Sequence, residues 1–327
     1  MARIALFGAA GAVGKSIAAA LQNDNTPYRV VGRSRNSLQT TFGADPLAEV
    51  TTWNPEDPAS LRQAAEGIET IVYLVGVDYR QFALHPVLMK KTVDGAIAAG
   101  VRRILLIGTV YPYGMPQTPA VTEDHPRTPN TVKGQALKGQ TLKGQTFKGK
   151  MRKEQEDVLF AAHGSGKIQA CELRLPDFYG PNVDKSFLWS AFQAAKKGGR
   201  AQLIGPIDKP HQFVYVPDVG PVVARLLREE RAWGQAWHFA GSGTITMRAF
   251  AEKIFAAARR PPKYMVANKF MLRAVGLFNP LVRELVEMHY LMTNPVILND
   301  DRLTTLLPGL RRTSYDDGIR ETLAAIR

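Results

Sequence analysis

A glycine-rich motif follows directly on a short apolar segment near the start of the chain. Residues 3–7 have the pattern of a buried strand and run into Gly8, Gly11 and Gly14, after which residues 15–21 form an apolar helical pattern. Glycines at this spacing let the backbone turn tightly and approach a ligand, and the N-terminus of the following helix offers unpaired N–H groups at its positive end. The motif therefore predicts a strand–turn–helix unit that binds the pyrophosphate of a dinucleotide. The predicted contacts are Gly8, Gly11, Ala12, Val13 and Gly14.

An overlapping motif for ATP is the alternative. Lys15 and Ser16 would end a Walker A loop if its first glycine stood at Ala9, but the chain has that glycine at Gly8. A loop that wraps a phosphate chain has a fixed length, so a displacement of one residue disfavours ATP. Asp78 follows an apolar run in the manner of a Walker B aspartate, and this alternative therefore stays open.

The end of the second predicted strand bears on the choice of dinucleotide. Residues 28–31 form this strand, and Arg33 follows Gly14 by 19 residues. An acidic residue at this place would bind the ribose hydroxyls of NAD, whereas an arginine suits the 2′-phosphate of NADP. Ser34 and Arg35 supply further donors. We therefore predict NADP as the cofactor, with NAD as the alternative.

Composition restricts the classes of protein that remain. The chain has 327 residues, of which 45% are hydrophobic, and this is enough to bury a full core. Its single cysteine, Cys171, excludes a disulfide framework, and its six histidines lack metal-binding spacing. The most apolar later region, residues 270–292, is interrupted by charged residues and by Pro280. We therefore expect a soluble, cytoplasmic protein with no metal site and no contact with a membrane.

Much of the positive charge lies in one repeated segment. The formal net charge is +13, and residues 133–153 contain seven Lys or Arg and no Asp or Glu. Within them a five-residue unit of the type Lys-Gly-Gln-Thr-Leu repeats. A period of five advances about 140° per copy on an α-helix and alternates faces on a strand, so its apolar residues form one face of neither element. We interpret residues 133–150 as a mobile surface insertion, with a lid as the alternative, and expect no nucleic acid as partner because no nucleic-acid fold signature accompanies the charge.

Strand and helix patterns alternate along the first half of the chain. Residues 70–77, 103–107 and 168–173 read as buried strands that are separated by helical patterns. This alternation predicts an α/β fold with a Rossmann-type, doubly wound parallel sheet, whose ligands bind at the carboxyl ends of the strands. At the end of the first of these strands, the residues expected beside the cofactor are Leu74, Val75 and Gly76.

The pattern changes after Gly180. Residues 1–180 are predicted to form the dinucleotide-binding domain, and residues 181–327 a smaller, mostly helical substrate-binding region. Apolar segments near 213–216 and 237–240 are the strands that we expect to return from this region to the core.

Four motifs occur in an order that resembles a known superfamily. The glycine motif is followed by Thr109-Val-Tyr-Pro-Tyr-Gly, by Arg174-Leu-Pro-Asp-Phe-Tyr-Gly-Pro and by Phe213-Val-Tyr-Val-Pro-Asp. Together they resemble the extended short-chain dehydrogenase/reductase superfamily, in its NAD-dependent epimerase/dehydratase branch, over nearly the whole chain. The resemblance implies that Thr109 contacts the substrate oxygen. It also implies that three residues lie near the nicotinamide, namely Pro176, Asp177 and Phe178.

One part of the superfamily's pattern is missing. Its usual acid/base pair is a Tyr four residues before a Lys, whose ammonium lowers the pKa of the phenol and orients the ribose. None of the ten tyrosines has a Lys four residues later. If Lys153 is the family's lysine, Gly149 stands in the place of the tyrosine. If Arg152 stands in the place of the lysine, Lys148 stands in the place of the tyrosine. Lys153 or Arg152 is then expected to hold the nicotinamide ribose.

The proton donor must then come from another position. Tyr111 is the nearest candidate because it follows Thr109 by two residues, and Pro112 biases it toward an extended backbone in which both side chains share one face. Tyr113 is the second candidate, and aromatic packing at the turn is the alternative for both.

Three classes of function remain open from the sequence. The favoured one is an NAD(P)-dependent oxidoreductase or epimerase that transfers hydride at a hydroxyl or carbonyl of a small molecule. Nucleotide sugars are the common substrates of the family, with sterol-like or phenylpropanoid-like ketones as alternatives, and a homodimer is the assembly to consider. The second class is an NADPH-binding sensor or interaction protein without catalysis, which the missing tyrosine favours. The third is an ATP-binding protein.

Overall fold

The computed structural model describes residues 3–129 and 146–326. The strands are β1 (Ile4–Phe7), β2 (Tyr28–Gly32), β3 (Ala48–Thr52), β4 (Thr70–Tyr73), β5 (Arg103–Thr109), β6 (Gln169–Leu175), β7 (Asp177–Tyr179), β8 (Ala201–Ile204), β9 (Pro210–Tyr215), β10 (Ala236–His238), β11 (Thr244–Thr246) and β12 (Tyr264–Ala267). The helices are α1 (Ala12–Asn23), α2 (Arg35–Phe42), α3 (Pro58–Ala65), α4 (Leu84–Ala98), α5 (Phe147–Gly164), α6 (Trp189–Lys197), α7 (Val216–Leu226), α8 (Met247–Ala257), α9 (Lys269–Gly276), α10 (Pro280–Met288), α11 (Tyr290–Thr293), α12 (Asp301–Leu306) and α13 (Tyr315–Ala325). Single 3₁₀ turns lie at Tyr79–Gln81, Tyr111–Tyr113 and Glu230–Ala232.

A seven-stranded sheet forms the centre of the molecule. Its order is β10-β6-β5-β4-β1-β2-β3, and every neighbouring pair is parallel. Leu6 and Leu105 pack on one face against α1 and α7, and Phe7 and Leu106 pack on the other against α4 and α5. Because helices cover both faces, these strands read as continuous apolar runs rather than as alternating ones. The predicted Rossmann-type, doubly wound α/β fold is confirmed.

Among the described residues after Gly180, one strand belongs to the central sheet. β10, which contains Trp237 and His238, lies beside β6 at the edge of the sheet. Residues 213–216 overlap β9, which pairs with β7 and β11 in a separate three-stranded sheet, and Phe213 and Val214 are fully buried there. A buried apolar run indicates a strand but does not say which strand it pairs with.

The last copy of the repeat belongs to a helix. Most of the repeat, up to residue 145, lies outside the described residues, so its interpretation as a mobile insertion stays a prediction. Residues 147–150, however, form the first turn of α5, and the hydroxyl of Thr146 accepts a hydrogen bond from the N–H of Gly149 at 3.1 Å. The predicted insertion therefore extends too far at its C-terminal end, because a Thr N-cap starts the helix earlier than the glycines suggest.

The helices α1 and α7 pack closely beside the glycine motif. A Cβ on Gly220 would lie 2.1 Å from the carbonyl oxygen of Ser16, so only glycine allows this approach. This contact brings the second half of the chain against the helix that begins at the predicted pyrophosphate site. None of the described helices is long and apolar enough to cross a membrane.

Candidate functional site

The glycine turn between β1 and α1 has room for a ligand on one side only. Gly8 has a φ of +91°, and a Cβ there would lie 2.9 Å from the backbone of Leu74. A Cβ on Gly14 would lie 2.1 Å from the carbonyl oxygen of Ala9. At Gly11, by contrast, a Cβ would meet no atom within 4 Å, and no side chain caps α1 at this residue. Two of the glycines are thus required for the turn itself, and the third leaves the start of α1 open to a phosphate.

The neighbouring residues of the predicted cradle lie on the same open side. Ala12 and Val13 are partly exposed in the first turn of α1. Leu74 donates its N–H to the carbonyl of Phe7 at 2.8 Å, which fixes the loop after β4 against the glycine turn. In that loop Leu74 and Val75 are partly exposed and Gly76 is exposed. The structure therefore brings the two predicted cofactor segments together.

Two cations stand at the carboxyl end of β2. Arg33 and Arg35 are exposed, and neither makes an ion pair with any residue that the structure describes. The hydroxyl of Ser34 caps α2 by accepting the N–H of Ser37 at 3.3 Å, so its oxygen is partly used within the protein. The strand end thus presents two free guanidinium groups and one hydroxyl beside the glycine turn.

Ser16 argues against the ATP alternative. Its hydroxyl accepts the N–H of Gly220 at 2.9 Å and donates to the carbonyl of Pro217 at 3.2 Å. In a Walker A loop this hydroxyl would face a metal ion. Here it joins α1 to α7, and within the described residues no group of three His, Cys, Asp or Glu is placed to hold a metal.

The residues after β5 do not have the predicted extended backbone. Thr109 ends the strand and is half-buried, but Val110 already has helical angles and Tyr111 begins a 3₁₀ turn. The expectation that Thr109 and Tyr111 share one strand face is therefore wrong. A proline in the first turn of a short helix fits this backbone as well as it fits a strand, so Pro112 did not distinguish the two.

Tyr111 and Tyr79 form a pair of phenols at the end of the sheet. Their hydroxyl oxygens are 3.0 Å apart, and the ring of Tyr111 stacks on Phe82 with centroids 6.4 Å apart. Burial is the main cause that raises the pKa of both phenols, followed for Tyr111 by the negative charge that Tyr79 and Asp177 would carry. Both phenols therefore stay protonated at neutral pH.

Tyr113 lies in the interior of the protein. It is fully buried, and its hydroxyl lies 2.6 Å from both His238 Nε2 and Arg174 Nη1. The same guanidinium pairs with Glu172 at 2.9 Å and with Glu156 at 3.0 Å. Burial lowers the pKa of His238 to about 3, so the imidazole is neutral. Tyr113 thus belongs to a buried structural network that ties β5, β6 and β10 together.

On α5, Arg152 rather than Lys153 points toward the sheet. Arg152 donates to His85 Nδ1 at 3.2 Å and to Gln155 at 2.8 Å, and it approaches the carbonyl of Ile107 at 3.5 Å. Burial, with the nearby charge of Arg152, lowers the pKa of His85 to about 2, so the imidazole accepts as a neutral ring. Lys153 instead pairs with Asp157 one turn along the same helix, at 2.5 Å.

The structure also distinguishes between the two possible positions of the missing Tyr–Lys pair on α5. With Lys153 as the lysine, the tyrosine would stand at Gly149, where a Cβ would lie 2.6 Å from Pro129 and 2.7 Å from the carbonyl oxygen of Tyr111. No side chain fits at that position. With Arg152 in the place of the lysine, Lys148 occupies the place of the tyrosine one turn earlier.

Lys148 is held by two carboxylates from α10. Its side chain is fully buried, and its ammonium lies 2.6 Å from Glu284 and 2.8 Å from Glu287. The ammonium also lies over the rings of Tyr79 and Phe82, at 5.7 and 5.8 Å from their centroids. Burial lowers the pKa of Lys148, but the hydrogen bonds that it donates to the two glutamates and their negative charges together outweigh burial, so the pKa of Lys148 is raised and its charge is retained.

The first residue of β7, Asp177, supplies a carboxyl group near the same phenols. Pro176 is buried, whereas Asp177 and Phe178 are partly exposed. Burial raises the pKa of Asp177 to about 7, and its charge is among the influences that raise the pKa of Tyr79 and Tyr111. The carboxyl group of Asp177 therefore lies within electrostatic range of the two phenols.

Sequence reasoning missed several parts of this arrangement. Tyr79 and His85 carry no motif, and the two glutamates of α10 lie more than a hundred residues from Lys148 along the chain. The four-residue spacing of Lys148 and Arg152 was the one available signal, since residues four apart lie on the same face of a helix.

Comparisons with known proteins agree with this geometry. Residues 8–138 match a family model described as NAD(P)H-binding. No curated protein matches the chain by sequence.

Solved structures show the same fold over the whole chain. A double mutant of a dTDP-glucose 4,6-dehydratase from Streptomyces venezuelae, with NAD bound, is 17% identical with a TM-score of 0.77, covering 98% of this chain and 96% of that one. A UDP-glucuronic acid 4-epimerase from Bacillus cereus, in complex with NAD, is 15% identical with a TM-score of 0.73, covering 98% and 97%. A short-chain dehydrogenase/reductase superfamily protein from Agrobacterium tumefaciens, with bound NAD, is 18% identical with a TM-score of 0.72, covering 98% and 96%. The resemblance that the sequence motifs carry is thereby confirmed for the NAD(P)H-binding domain and for the fold.

Proposed function

We propose that the protein is an NADP-dependent oxidoreductase that acts by hydride transfer on a hydroxyl or carbonyl group of a small molecule. The observation that carries this proposal is the cluster at the carboxyl ends of β4, β5 and β6. There Thr109, the Tyr79–Tyr111 pair, Asp177 and Arg152 lie at the edge of the sheet where the glycine turn opens. Ligands of doubly wound sheets bind at this edge.

The residues present fit the cofactor. The open side of the turn at Gly11 suits a pyrophosphate, and the free guanidinium groups of Arg33 and Arg35 suit a 2′-phosphate. Arg152, in the helix position of the family's lysine, would hold the nicotinamide ribose by hydrogen bonds. Bound in this way, the nicotinamide supplies or accepts the hydride.

Tyr111 is the proposed proton donor and Thr109 the proposed hydrogen-bond partner of the substrate oxygen. Because the pKa of Tyr111 is raised well above that of a free phenol, its hydroxyl stays protonated and is a poor base. The phenol is therefore present in the protonated form that could donate to a carbonyl oxygen, although the same rise in pKa makes it a weaker acid than a free phenol. We propose that the protein acts in the direction of reduction, with a hydrogen bond from Tyr79 stabilising the Tyr111 oxygen as it loses its proton.

The substrate class is proposed from the fold neighbours alone. Two of them act on nucleotide sugars, as their names state, so nucleotide-linked ketosugars are the first compounds to test. Sterol-like and phenylpropanoid-like ketones are the second set.

The test is the variant Tyr111→Phe, assayed through the absorbance of the reduced nicotinamide with a ketone that the wild type reduces. General acid catalysis is typically worth about 10²–10⁴-fold, so turnover is expected to fall at least tenfold. NADPH affinity stays unchanged, because only a hydroxyl is removed. Tyr264→Phe, which loses a hydrogen bond to Arg248 far from the site, is the matched control. Unchanged turnover in Tyr111→Phe excludes this residue as the donor.

A second candidate function is an NADPH-binding protein without catalysis. The observation that favours it is Lys148, which stands in the helix position of the catalytic tyrosine but is fully buried and paired with two glutamates. Titration with NADPH, NADH and Mg-ATP, followed by a screen of carbonyl and alcohol substrates, separates the two. Tight NADPH binding with no turnover of any substrate supports the second candidate.

A further inference from the structure

The helical hairpin of α9 and α10 presents large apolar side chains to solvent. Phe270 is 78% exposed and Val275 52% exposed on α9, and Leu277 and Phe278 in the connecting turn are 80% and 90% exposed. We call residues 269–283 the α9–α10 tip. Single exposed apolar residues are ordinary on a protein surface, but several on one short hairpin indicate an interaction site.

The hairpin is anchored to the rest of the molecule. Leu272 and Gly276 are buried, and a Cβ on Gly276 would lie 3.1 Å from Arg283, so the two helices pack closely on each other. Further along α10, Glu284 and Glu287 bind the buried ammonium of Lys148. The apolar residues of the α9–α10 tip therefore lie at the outer end of a fixed element, turned away from the protein.

The charge around the tip has one sign. Residues 253–283 contain seven Lys or Arg and no Asp or Glu, and of these Lys253 on α8 is paired with Asp316. Within the tip, Lys269, Arg273 and Arg283 are exposed, and none makes an ion pair with a described residue. The nearest acidic residues along α10, Glu284 and Glu287, are engaged by Lys148. The tip thus combines an apolar end with unneutralised cations.

We propose that the α9–α10 tip docks on the surface of a membrane that contains anionic phospholipids. Phe270, Leu277 and Phe278 would enter the boundary between headgroups and acyl chains, and the cations of the tip would lie against the lipid phosphates. Phe and Leu on one side with Lys and Arg beside them are the features by which amphipathic helices bind at a membrane interface. This would be a peripheral contact, and it revises the expectation of no membrane partner.

Charge also disfavours the main alternative, a second copy of the chain. In a two-fold dimer the same patch meets itself, so the cations of one tip would face those of the other. An anionic lipid surface, by contrast, can bury the apolar side chains and attract the cations at the same time.

The first test is co-sedimentation of the full chain with vesicles of phosphatidylcholine, with and without phosphatidylglycerol. We expect binding to the anionic vesicles that weakens as salt is added. The double variant Leu277→Ser/Phe278→Ser is expected to bind at least tenfold more weakly, because two apolar side chains no longer leave water. Leu84→Ser/Val87→Ser, on exposed apolar residues of α4, is the matched control and is expected to bind as the wild type does.

The charge contribution is tested separately. Lys269→Ala/Arg273→Ala is expected to lower the partition onto anionic vesicles more than fivefold and to reduce the salt dependence. Arg102→Ala/Lys167→Ala, which removes two exposed cations at the opposite edge of the central sheet, is expected to have little effect.

Insertion is measured with a polarity-sensitive fluorophore on Phe278→Cys. The single native cysteine, Cys171, is fully buried, so the new thiol is labelled selectively. Emission is expected to rise and shift to shorter wavelength with anionic vesicles, whereas the same label on Val87→Cys stays unchanged. Absence of binding to anionic vesicles overturns the proposal, as does binding that the tip variants leave intact. A change of sedimentation coefficient in Leu277→Ser/Phe278→Ser without vesicles would assign the tip to a second copy instead.

Discussion

At the scale of single residues, the choice between NADP and NAD depends on the end of β2. Arg33 and Arg35 are exposed and unpaired among the described residues, and no acidic residue stands there to repel a 2′-phosphate. We predict that the wild type binds NADPH more tightly than NADH. One charge-assisted contact is worth about 1.5–3 kcal/mol, so Arg33→Ala should weaken NADPH binding about tenfold or more and leave NADH binding nearly unchanged.

The measurement is a fluorescence titration with both nucleotides. Arg62→Ala, on an exposed arginine of α3, is the matched control for the loss of one positive charge. Equal affinities of the wild type for the two nucleotides contradict the prediction.

The second prediction at this scale concerns how the carboxyl group of Asp177 makes stability depend on pH. Burial raises its pKa to about 7, so between pH 4 and pH 7 the folded protein binds a proton that the unfolded chain releases. This contribution to stability is therefore lost as the pH rises toward 7. Asp177→Asn should stabilise the protein at pH 8 by about 1–3 kcal/mol and should leave the stability at pH 4 nearly unchanged.

Urea unfolding of Asp177→Asn and the wild type at both pH values provides the check. The exposed Asp184 supplies the control variant Asp184→Asn. Because Glu172 and Asp218 also have raised pKa values, the free energy of unfolding depends on pH in both proteins. The test is therefore the difference between variant and wild type in how the free energy of unfolding changes from pH 4 to pH 8. If the free energy of unfolding changes with pH by the same amount in the wild type and in Asp177→Asn, Asp177 is ionised throughout this range.

At the scale of elements, α5 and α10 are joined through one buried ion pair. Lys148 is fully buried, while its partners Glu284 and Glu287 retain about a quarter of their exposure. Lys148→Met leaves two carboxylates facing each other without a cation, and we predict a loss of about 1–3 kcal/mol in the free energy of unfolding at pH 7. The triple variant Lys148→Met/Glu284→Gln/Glu287→Gln should recover most of this loss.

The control is the exposed pair of Lys90 and Asp94 on α4. Lys90→Met should change the free energy of unfolding by no more than about 0.5 kcal/mol, because exposed ion pairs contribute little. If Lys148→Met is as stable as Lys90→Met, the ion pair does not hold α10 in place.

The same elements show where prediction from the sequence succeeds and where it stops. The glycine turn and the strands around it were predictable, because turn chemistry and buried apolar runs are local properties. The inward direction of Arg152 could not be predicted, because the sequence allows two positions of the Tyr–Lys pair that differ by one residue. Only the structure excludes one of them, since Pro129 and the carbonyl of Tyr111 leave no space for a side chain at Gly149. The ion pair of Lys148 joins residues 136 and 139 positions apart, and no local pattern marks it.

At the scale of the whole molecule, the dinucleotide-binding part and the C-terminal region are expected to unfold together. β10 lies in the central sheet beside β6, and the hydroxyl of Tyr113 on the β5 side meets His238 of β10 at 2.6 Å. The carboxylate of Asp218 on α7 accepts both the N–H and the hydroxyl of Thr313 at 2.7 Å. One buried cluster also draws on both parts, since Ile17 and Leu105 share it with Val219 and Val223.

We therefore predict one cooperative thermal transition that NADPH shifts as a unit. A ligand at about a thousand times its dissociation constant stabilises the native state by about 4 kcal/mol. For a chain of this length that corresponds to a rise of about 5 °C in Tm. Near-ultraviolet circular dichroism reports on the four tryptophans, three of which (Trp189, Trp233 and Trp237) lie after residue 180. Its Tm should agree with that of scanning calorimetry, both without NADPH and, at the higher value, with NADPH. Two transitions, of which NADPH moves only one, would show that the C-terminal region folds independently of the cofactor site.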